Sequence, residues 1–311
     1  SFVPSCAVPT GLAATASATT TGISSISGNF TATGSSSVPT GYVVVRSTSS
    51  SLPVLSSGVT YTVGANTSVA TNGYIEYVGT TAGSWTSSSL MGGTTYYYFV
   101  FSYNNTGCSG GPIYSASATQ ANATTTGCPA FSSVISVGGS VTTSGSVYPT
   151  LTAAIADLSV CSISQPTTLS INSSYNSSSE TFPIVIPSIS GSSSTNTVTI
   201  KPAAGTSPVI SGAAASNPLI KINGGSNVVI DGSNSVGGTT RDLILTNTSA
   251  TSPNVVVIGS PDSTPVTNVI LKNTVLTNGA NTSSAVVVSS SATIGNAGYF
   301  NNITIQNNSV N

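Results

Sequence analysis

Four carboxylates in the C-terminal half of this chain, Glu180, Asp231, Asp242 and Asp262, are the side chains best suited by type to do chemistry. Hydrolysis of a glycosidic bond needs two carboxyl groups facing one groove, one as acid and one as base or nucleophile. The local sequence argues for another use of each. Asp231 sits in Ile230-Asp231-Gly232, where a strand ends and a turn begins, and Asp commonly holds such corners through backbone hydrogen bonds. Arg241-Asp242 precedes a strand and reads as a local ion pair or corner, while Glu180 lies in a Ser-rich loop. Eliminative cleavage would need a basic side chain beside a cation or other neutralising group. Lys201, Lys221, Arg241 and Lys272 are instead spread one per strand, and Lys201 and Lys272 occupy equivalent repeat positions, as on a solvated edge. With no His and no acidic cluster for Ca²⁺, no catalytic or metal-binding residue is assigned and no cofactor is expected.

The remaining candidates concern linkage and recognition. Four cysteines without CxxC spacing point to two disulfides in an oxidising compartment rather than to zinc. Of the three pairings open to them, Cys6–Cys108 with Cys128–Cys161 keeps each bridge inside one proposed domain. Trp85, Tyr97 and Tyr103 are candidates for a carbohydrate-stacking or interface surface, set against the plainer use of aromatics as sandwich core. Asn227, Asn268 and Asn302, with Asn247, Asn273 and Asn307, recur at strand corners and are expected to form ladders of side-chain amides. Thr-x-Thr does not recur in register, which argues against ice binding.

Of 311 residues, five are Lys or Arg and six are Asp or Glu, a net charge of −1. That excludes the clustered cations needed for nucleic acid or for an anionic membrane surface. No apolar run reaches the roughly 18 residues of a membrane span, so no membrane insertion is expected. Ser1 reads as a processed or trimmed start. The length suggests two domains.

The elements that must position these residues fall into two patterns. Residues 1–125 alternate apolar and polar side chains at Ile26–Thr33, Gly41–Thr48, Val59–Val63, Tyr74–Val78, Thr94–Tyr103 and Pro112–Thr119, separated by Gly, Pro, Asn and Ser. This is the punctuation of a β-sandwich. Residues 120–130 read as a polar connector to a second domain over 126–311. There, Tyr148–Leu158 places Leu151, Ala154, Ile155 and Leu158 on one helical face. Thr150 or Ser146 would cap it, and the helix, within a cap of residues 126–165, would cover the first of the rungs at 166–311. Three short strand types then recur every 30 to 40 residues. Val198–Lys201, Val228–Asp231, Val269–Lys272 and Ile303–Gln306 form one; Leu243–Leu245 and Thr274–Thr277 a second; Leu219–Ile222, Val255–Ile258 and Ala285–Val288 a third. Three strands per turn with Asn and Gly at the corners describe a parallel β-helix, in which rungs stack because none can bury its apolar face alone.

Leu90–Val100 and Asn104–Gly107 resemble the E–F corner and F strand of a fibronectin type III domain, with Pro39–Ser47 and Gly58–Gly64 similar to a variant frequent in secreted proteins of Bacteroidota. The resemblance makes Tyr96 the tyrosine-corner residue; the usual strand-B Trp is absent, and Trp85 falls near the E–F region instead. Tyr148–Leu158, Thr197–Pro202, Asn223–Gly232 and Thr240–Leu243 resemble the pectate-lyase-like right-handed parallel β-helices. Asp262-Ser263-Thr264 is similar to the O-glycosylation motif of Bacteroidota, making Ser263 a candidate for modification.

The resemblances imply an all-β protein, a fibronectin type III-like sandwich followed by a right-handed parallel β-helix with one capping helix. The expected function is that of a non-catalytic extracellular structural or adhesive protein, a cell-surface adhesin or filament subunit. A polysaccharide lyase, glycoside hydrolase or carbohydrate-binding accessory region is the alternative. Expected partners are a cell-surface glycan or polysaccharide, and a second copy or further chain at a β-helix end that reads as open after Gln306.

Overall fold

Short runs of Val, Ile, Tyr and Thr broken by Gly, Asn and Ser form strands here rather than helices, because branched and aromatic side chains pack well on a pleated surface. A computed structural model describes residues 3–34, 38–140 and 145–311 and is 42% strand and 4% helix. The chain divides into two units, Ser1–Cys128 and Pro129–Asn311.

The first unit contains β1 (Thr15–Thr20), β2 (Ile26–Thr31), β3 (Gly41–Ser47), β4 (Asn66–Thr67), β5 (Gly73–Gly79), β6 (Gly83–Ser87), β7 (Thr95–Asn104), β8 (Ile113–Tyr114) and β9 (Thr119–Thr124). One antiparallel sheet runs β1-β2-β6; the other runs β4-β5-β3-β7-β8, with β9 also paired to β7. Ile26, Phe30, Tyr42, Val44, Trp85, Tyr98 and Val100 form one buried cluster. Alternation sends Val43, Val45, Ile75, Phe99 and Phe101 into a second, which Leu55, Tyr61 and Tyr114 cover. The larger sheet is thus buried on both faces, which accounts for the doubly aromatic run of β7.

Two sequence expectations change here. Val59–Val63 is not a strand but part of the excursion that brings Tyr61 over the second cluster. Residues 120–124, read as connector, continue β9, because the edge of β7 offers Thr95–Val100 as a pairing partner. Cys6 and Cys108 are bonded, with Cα atoms 4.8 Å apart. Cys128 and Cys161 are also disulfide-bonded, and no described cysteine is free.

The second unit is a parallel β-solenoid of about 5 turns. It begins with β10 (Val134–Val137), β11 (Val147–Tyr148) and α1 (Leu151–Val160), then β12 (Thr167–Ile171), β13 (Ile184–Pro187), β14 (Val198–Pro202) and β15 (Val209–Gly212). It continues with β16 (Pro218–Asn223), β17 (Val228–Asp231), β18 (Leu243–Asn247), β19 (Asn254–Ser260), β20 (Val266–Lys272), β21 (Thr274–Asn278), β22 (Val286–Ser290), β23 (Phe300–Gln306) and β24 (Ser309–Val310). Sheet A stacks β11-β10-β12-β14-β17-β20-β23, sheet B β15-β18-β21-β24, and sheet C β13-β16-β19-β22. The three recurrent strand types therefore correspond to the three sheets, and inward residues such as Ile200, Ile230 and Leu271 lie in register.

α1 forms as its periodicity requires. Thr150 is the N-cap, its hydroxyl accepting from Ala153 N at 3.1 Å. Leu151, Ala154, Ile155 and Leu158 are buried in the same cluster as Ile184 and Ile186 of the first rung. At the other end, Val288, Ile305 and Val310 remain 39%, 46% and 62% exposed.

Candidate functional site

Each carboxylate singled out in the sequence is engaged by its own fold. Glu180 Oε1 accepts from Leu151 N at 2.6 Å and from the Tyr175 hydroxyl at 2.9 Å. Its Oε2 accepts from Thr152 N at 3.0 Å and Thr152 Oγ1 at 2.6 Å. A negative group thereby meets the unpaired N–H groups of the helix N-terminus, where the helix dipole favours it. Burial and the adjacent Glu180 charge push the Tyr175 hydroxyl well above the usual phenol range.

Asp231 is buried. Its Oδ1 accepts from Ser233 N at 3.1 Å and Asn273 Nδ2 at 2.7 Å, and its Oδ2 lies 3.2 Å from Lys272 Nζ. Lys201 and Asp231 follow the paired Ile200 and Ile230, and Asp231 pairs with Lys272. The expected solvated lysine edge is therefore a column of alternating charge with its acid buried. Arg241 and Asp242 are not an ion pair. Arg241 donates to Asn307 O and Oδ1 at 2.8 and 2.6 Å, while Asp242 Oδ2 accepts from Asn234 N and Thr240 Oγ1 at 2.9 and 2.6 Å. Asp262 Oδ1 accepts from Thr264 N at 2.7 Å in an exposed turn between β19 and β20, and Ser263 is exposed beside it.

Asn227, Asn268 and Asn302 come together as a ladder. Asn268 Nδ2 donates to Asn227 Oδ1 at 3.0 Å, and Asn302 Nδ2 donates to Asn268 Oδ1 at 2.8 Å. Their φ angles of 58°, 55° and 58° lie in the left-handed region that Asn tolerates, so one residue supplies both bend and rung-to-rung bond. A second ladder flanks the far end of the sheet A strands. Asn307 Nδ2 donates to Asn273 Oδ1 at 2.6 Å, and Asn273 in turn donates to Asp231. Asn247 joins neither: fully buried, it donates to Ala214 O, Asn217 O and Asn254 O at 3.2, 3.1 and 2.8 Å.

The aromatic candidates do not form an exposed platform. Trp85 is only 4% exposed, and its ring centroid lies 5.1 Å from that of Tyr98. It faces Gly28 across the β2–β6 pair, where an added Cβ would come within 2.2 Å of the indole. Glycine on β2 makes room for a tryptophan supplied by β6. Tyr97 and Tyr103 are half-buried against the second cluster.

Sequence reasoning missed Arg46 and Glu76. Both interrupt apolar strands in a chain with few charges, which was the available signal. In the β3–β5 ladder Val44 pairs with Tyr77 and Val45 with Ile75, leaving Glu76 as the extra residue of a bulge. Bulges re-aim side chains, and here Arg46 Nη1 lies 3.1 Å from Glu76 Oε1. The guanidinium carbon sits 4.7 Å from the Tyr74 ring centroid and 5.4 Å from that of Tyr96. Burial raises the Glu76 pKa; a hydrogen bond from Ser87 and the charge of Arg46 act in the opposite direction. The pair forms part of the wall of a cleft of about 430 Å³.

The geometry defines the class: an antiparallel β-sandwich unit followed by a parallel β-solenoid whose rungs are tied by asparagine ladders. Comparison with protein-family models, curated proteins and solved structures finds no match to this chain. Among the described residues no cluster of His, Cys, Asp or Glu is suited to hold a metal ion, and no helix is long and apolar enough to cross a membrane.

Proposed function

We propose that this chain is a non-catalytic extracellular structural or adhesive protein, in which a stiff solenoid carries or spaces a sandwich module. The observation that carries the reading is the use made of its charges. All five basic and six acidic side chains contact the chain's own backbone or side chains. Beyond those already described, Asp157 accepts from the Tyr148 hydroxyl at 2.7 Å, and Lys201 and Lys221 donate to Ser235 O and Ser291 O at 3.2 and 3.0 Å. General acid–base catalysis needs a group within reach of substrate and free to exchange a proton. The five carboxylates of the second unit instead accept from fixed donors that maintain turns, rungs and a helix end.

The two disulfides favour an oxidising compartment, and the extracellular location is part of the same proposal. A fibronectin type III-like identity for the first unit is supported by its two antiparallel sheets and by the Tyr96 hydroxyl, which accepts from Met91 N at 2.9 Å in the manner of a tyrosine corner. Exposure of Ser263 suits the proposed glycosylation.

The test is incubation of the purified chain with a panel of neutral and uronate polysaccharides, following release of reducing ends and of unsaturated uronates. No turnover is expected. Sustained turnover that disappears in Asp231→Asn or Asp242→Asn, with the fold retained, would overturn the proposal in favour of a polysaccharide-degrading enzyme.

A further inference from the structure

The Arg46–Glu76 cleft lies within the sandwich unit and is not needed to close either apolar cluster. Its two charged groups are close but poorly aligned: Arg46 Nε and Glu76 Oε1 are both buried and lack a hydrogen-bond partner of good geometry. Leaving such atoms unmatched is costly, and here one is a donor and the other an acceptor. Those two atoms are themselves closed to solvent, and the rest of the two side chains, 13% and 6% exposed overall, lines the cleft. Asn66, Thr86, Ser88 and Ser89 add an amide and three hydroxyls to its wall, and Tyr74 adds part of a ring.

We infer that this cleft binds a neutral, hydroxyl-rich ligand, a saccharide unit of a surface or matrix glycan, with Arg46 and Glu76 as the paired donor and acceptor at its floor. An anion entering the cleft would meet Glu76, and a cation would meet Arg46. A hydroxyl accepts from a guanidinium N–H while donating to a carboxylate oxygen, so it suits both without adding charge. The net charge of −1 for the whole chain supplies no long-range field to concentrate an ionic ligand. The volume falls within the roughly 300–1,000 Å³ of small-molecule sites, and the wall is hydroxylated as a polyol requires. The bulge gives the second, independent indication: the extra residue it inserts is Glu76, placed on the same side of the sheet as Arg46. The inference extends the adhesive reading by naming what the sandwich would adhere to.

The experiment uses the full chain and saturation-transfer NMR with neutral hexose, deoxyhexose and N-acetylhexosamine oligosaccharides, with acetate and glucuronate as anionic probes. Saturable binding of at least one neutral saccharide is expected. It should weaken at least tenfold in Ser88→Trp, which fills the cleft from an exposed position, and also weaken in Glu76→Gln, which keeps an acceptor oxygen but loses the charge, where circular dichroism shows that variant folded. If Glu76→Gln does not fold, Ser88→Trp decides alone. Failure of every neutral saccharide to bind, binding confined to the anionic probes, or binding unchanged in Ser88→Trp overturns the inference. Retention of the chain on glycan-coated surfaces is measured in parallel. Retention that persists in Ser88→Trp removes the cleft and leaves adhesion standing; saccharide binding without retention removes adhesion and leaves the cleft.

Discussion

Replacing Glu180 probes how the solenoid's first turn is closed. Four N–H groups open any α-helix without intrahelical partners. In α1, Leu151 N and Thr152 N donate to Glu180, Ala153 N donates to Thr150 Oγ1, and Ala154 N begins the regular ladder by donating to Thr150 O at 3.2 Å. Glu180 also accepts from Tyr175 and from the Thr152 hydroxyl, so one half-buried carboxylate joins the helix to the loop that follows β12. A net hydrogen bond to a charged group contributes about 1.5–3 kcal/mol, and a charge at a helix N-terminus about 0.3–1 kcal/mol. These terms do not add, and water can replace part of what is lost at a half-buried site. The expected cost is therefore about 2–4 kcal/mol for Glu180→Ala. For Glu180→Gln, which keeps one acceptor oxygen, it is about 1–2 kcal/mol on the same grounds.

Two units violate a two-state description, so a single melting temperature is the wrong readout. Trp85, the chain's only tryptophan, lies in the first unit, and its fluorescence should not change. Hydrogen exchange resolves the second unit, because opening of a stacked fold begins where an end loses its cover. Faster exchange is expected in α1, β12 and β13, fading toward β20. A cost below about 0.5 kcal/mol for Glu180→Ala, with unchanged exchange in β13, would refute the capping account.

Three further outcomes follow from the geometry. Asn268→Ala should destabilise the solenoid more than Asn268→Gly by about 1–2 kcal/mol, since both lose the ladder but only Ala is strained at φ 55°; guanidinium unfolding followed by circular dichroism compares them. Reduction of Cys6–Cys108, which closes a separation of 102 residues, should lower the stability of the first unit by about 4–5 kcal/mol in the chain-entropy account, read from Trp85 fluorescence in urea. Burial holds the Glu76 pKa above 4.5, so the stability linked to this group is complete below the unfolded pKa and is lost as pH rises through the folded one. The urea midpoint of the first unit should accordingly fall as pH rises upward from about 4.5, with Glu76→Gln removing that slope and leaving the Arg46, Tyr74, Tyr96 and Tyr98 neighbours in place.

What could be read in advance was whatever repeats or is set by near neighbours. The Asn-led runs before Val228, Val269 and Ile303 carry their bend, inward face and register within a few residues, so the sheet A strands were legible. The face of α1 was legible for the same reason. Glu180 was not, because the helix it caps lies 29 residues upstream and only solenoid closure brings them together. Between core and surface, Trp85 is left open by the sequence because its burial depends on Gly28, on another strand. The Arg46–Glu76 pair depends on a bulge, and one inserted residue changes which side chains share a face without leaving a mark in the alternation.

The low charge of the chain and its ladders have a common physical origin. Stacked rungs repeat at about 4.8 Å, and two like charges at that spacing repel by about 3 kcal/mol at an effective dielectric constant of about 20. A column of identical ionised residues is therefore unfavourable, and sheet A alternates Lys201, Asp231 and Lys272 instead. An amide donates on one side and accepts on the other, so asparagine stacks without that penalty. The ladders have a direction: Asn302 donates to Asn268, which donates to Asn227, and the first member only accepts. Aspartate suits that first position alone, and Asp231 occupies it in the second ladder, beneath Asn273 and Asn307. The order expected from hydrogen exchange in the sheet A strands at neutral pH is thus that Asn227→Asp is the mildest substitution. Asn302→Asp and Asn268→Asp should both be worse, because each removes one donor and sets two oxygens against each other, Asn302 against Asn268 in the first and Asn268 against Asn227 in the second. Equal costs at the three positions would mean that the amides bend the chain without bonding the rungs.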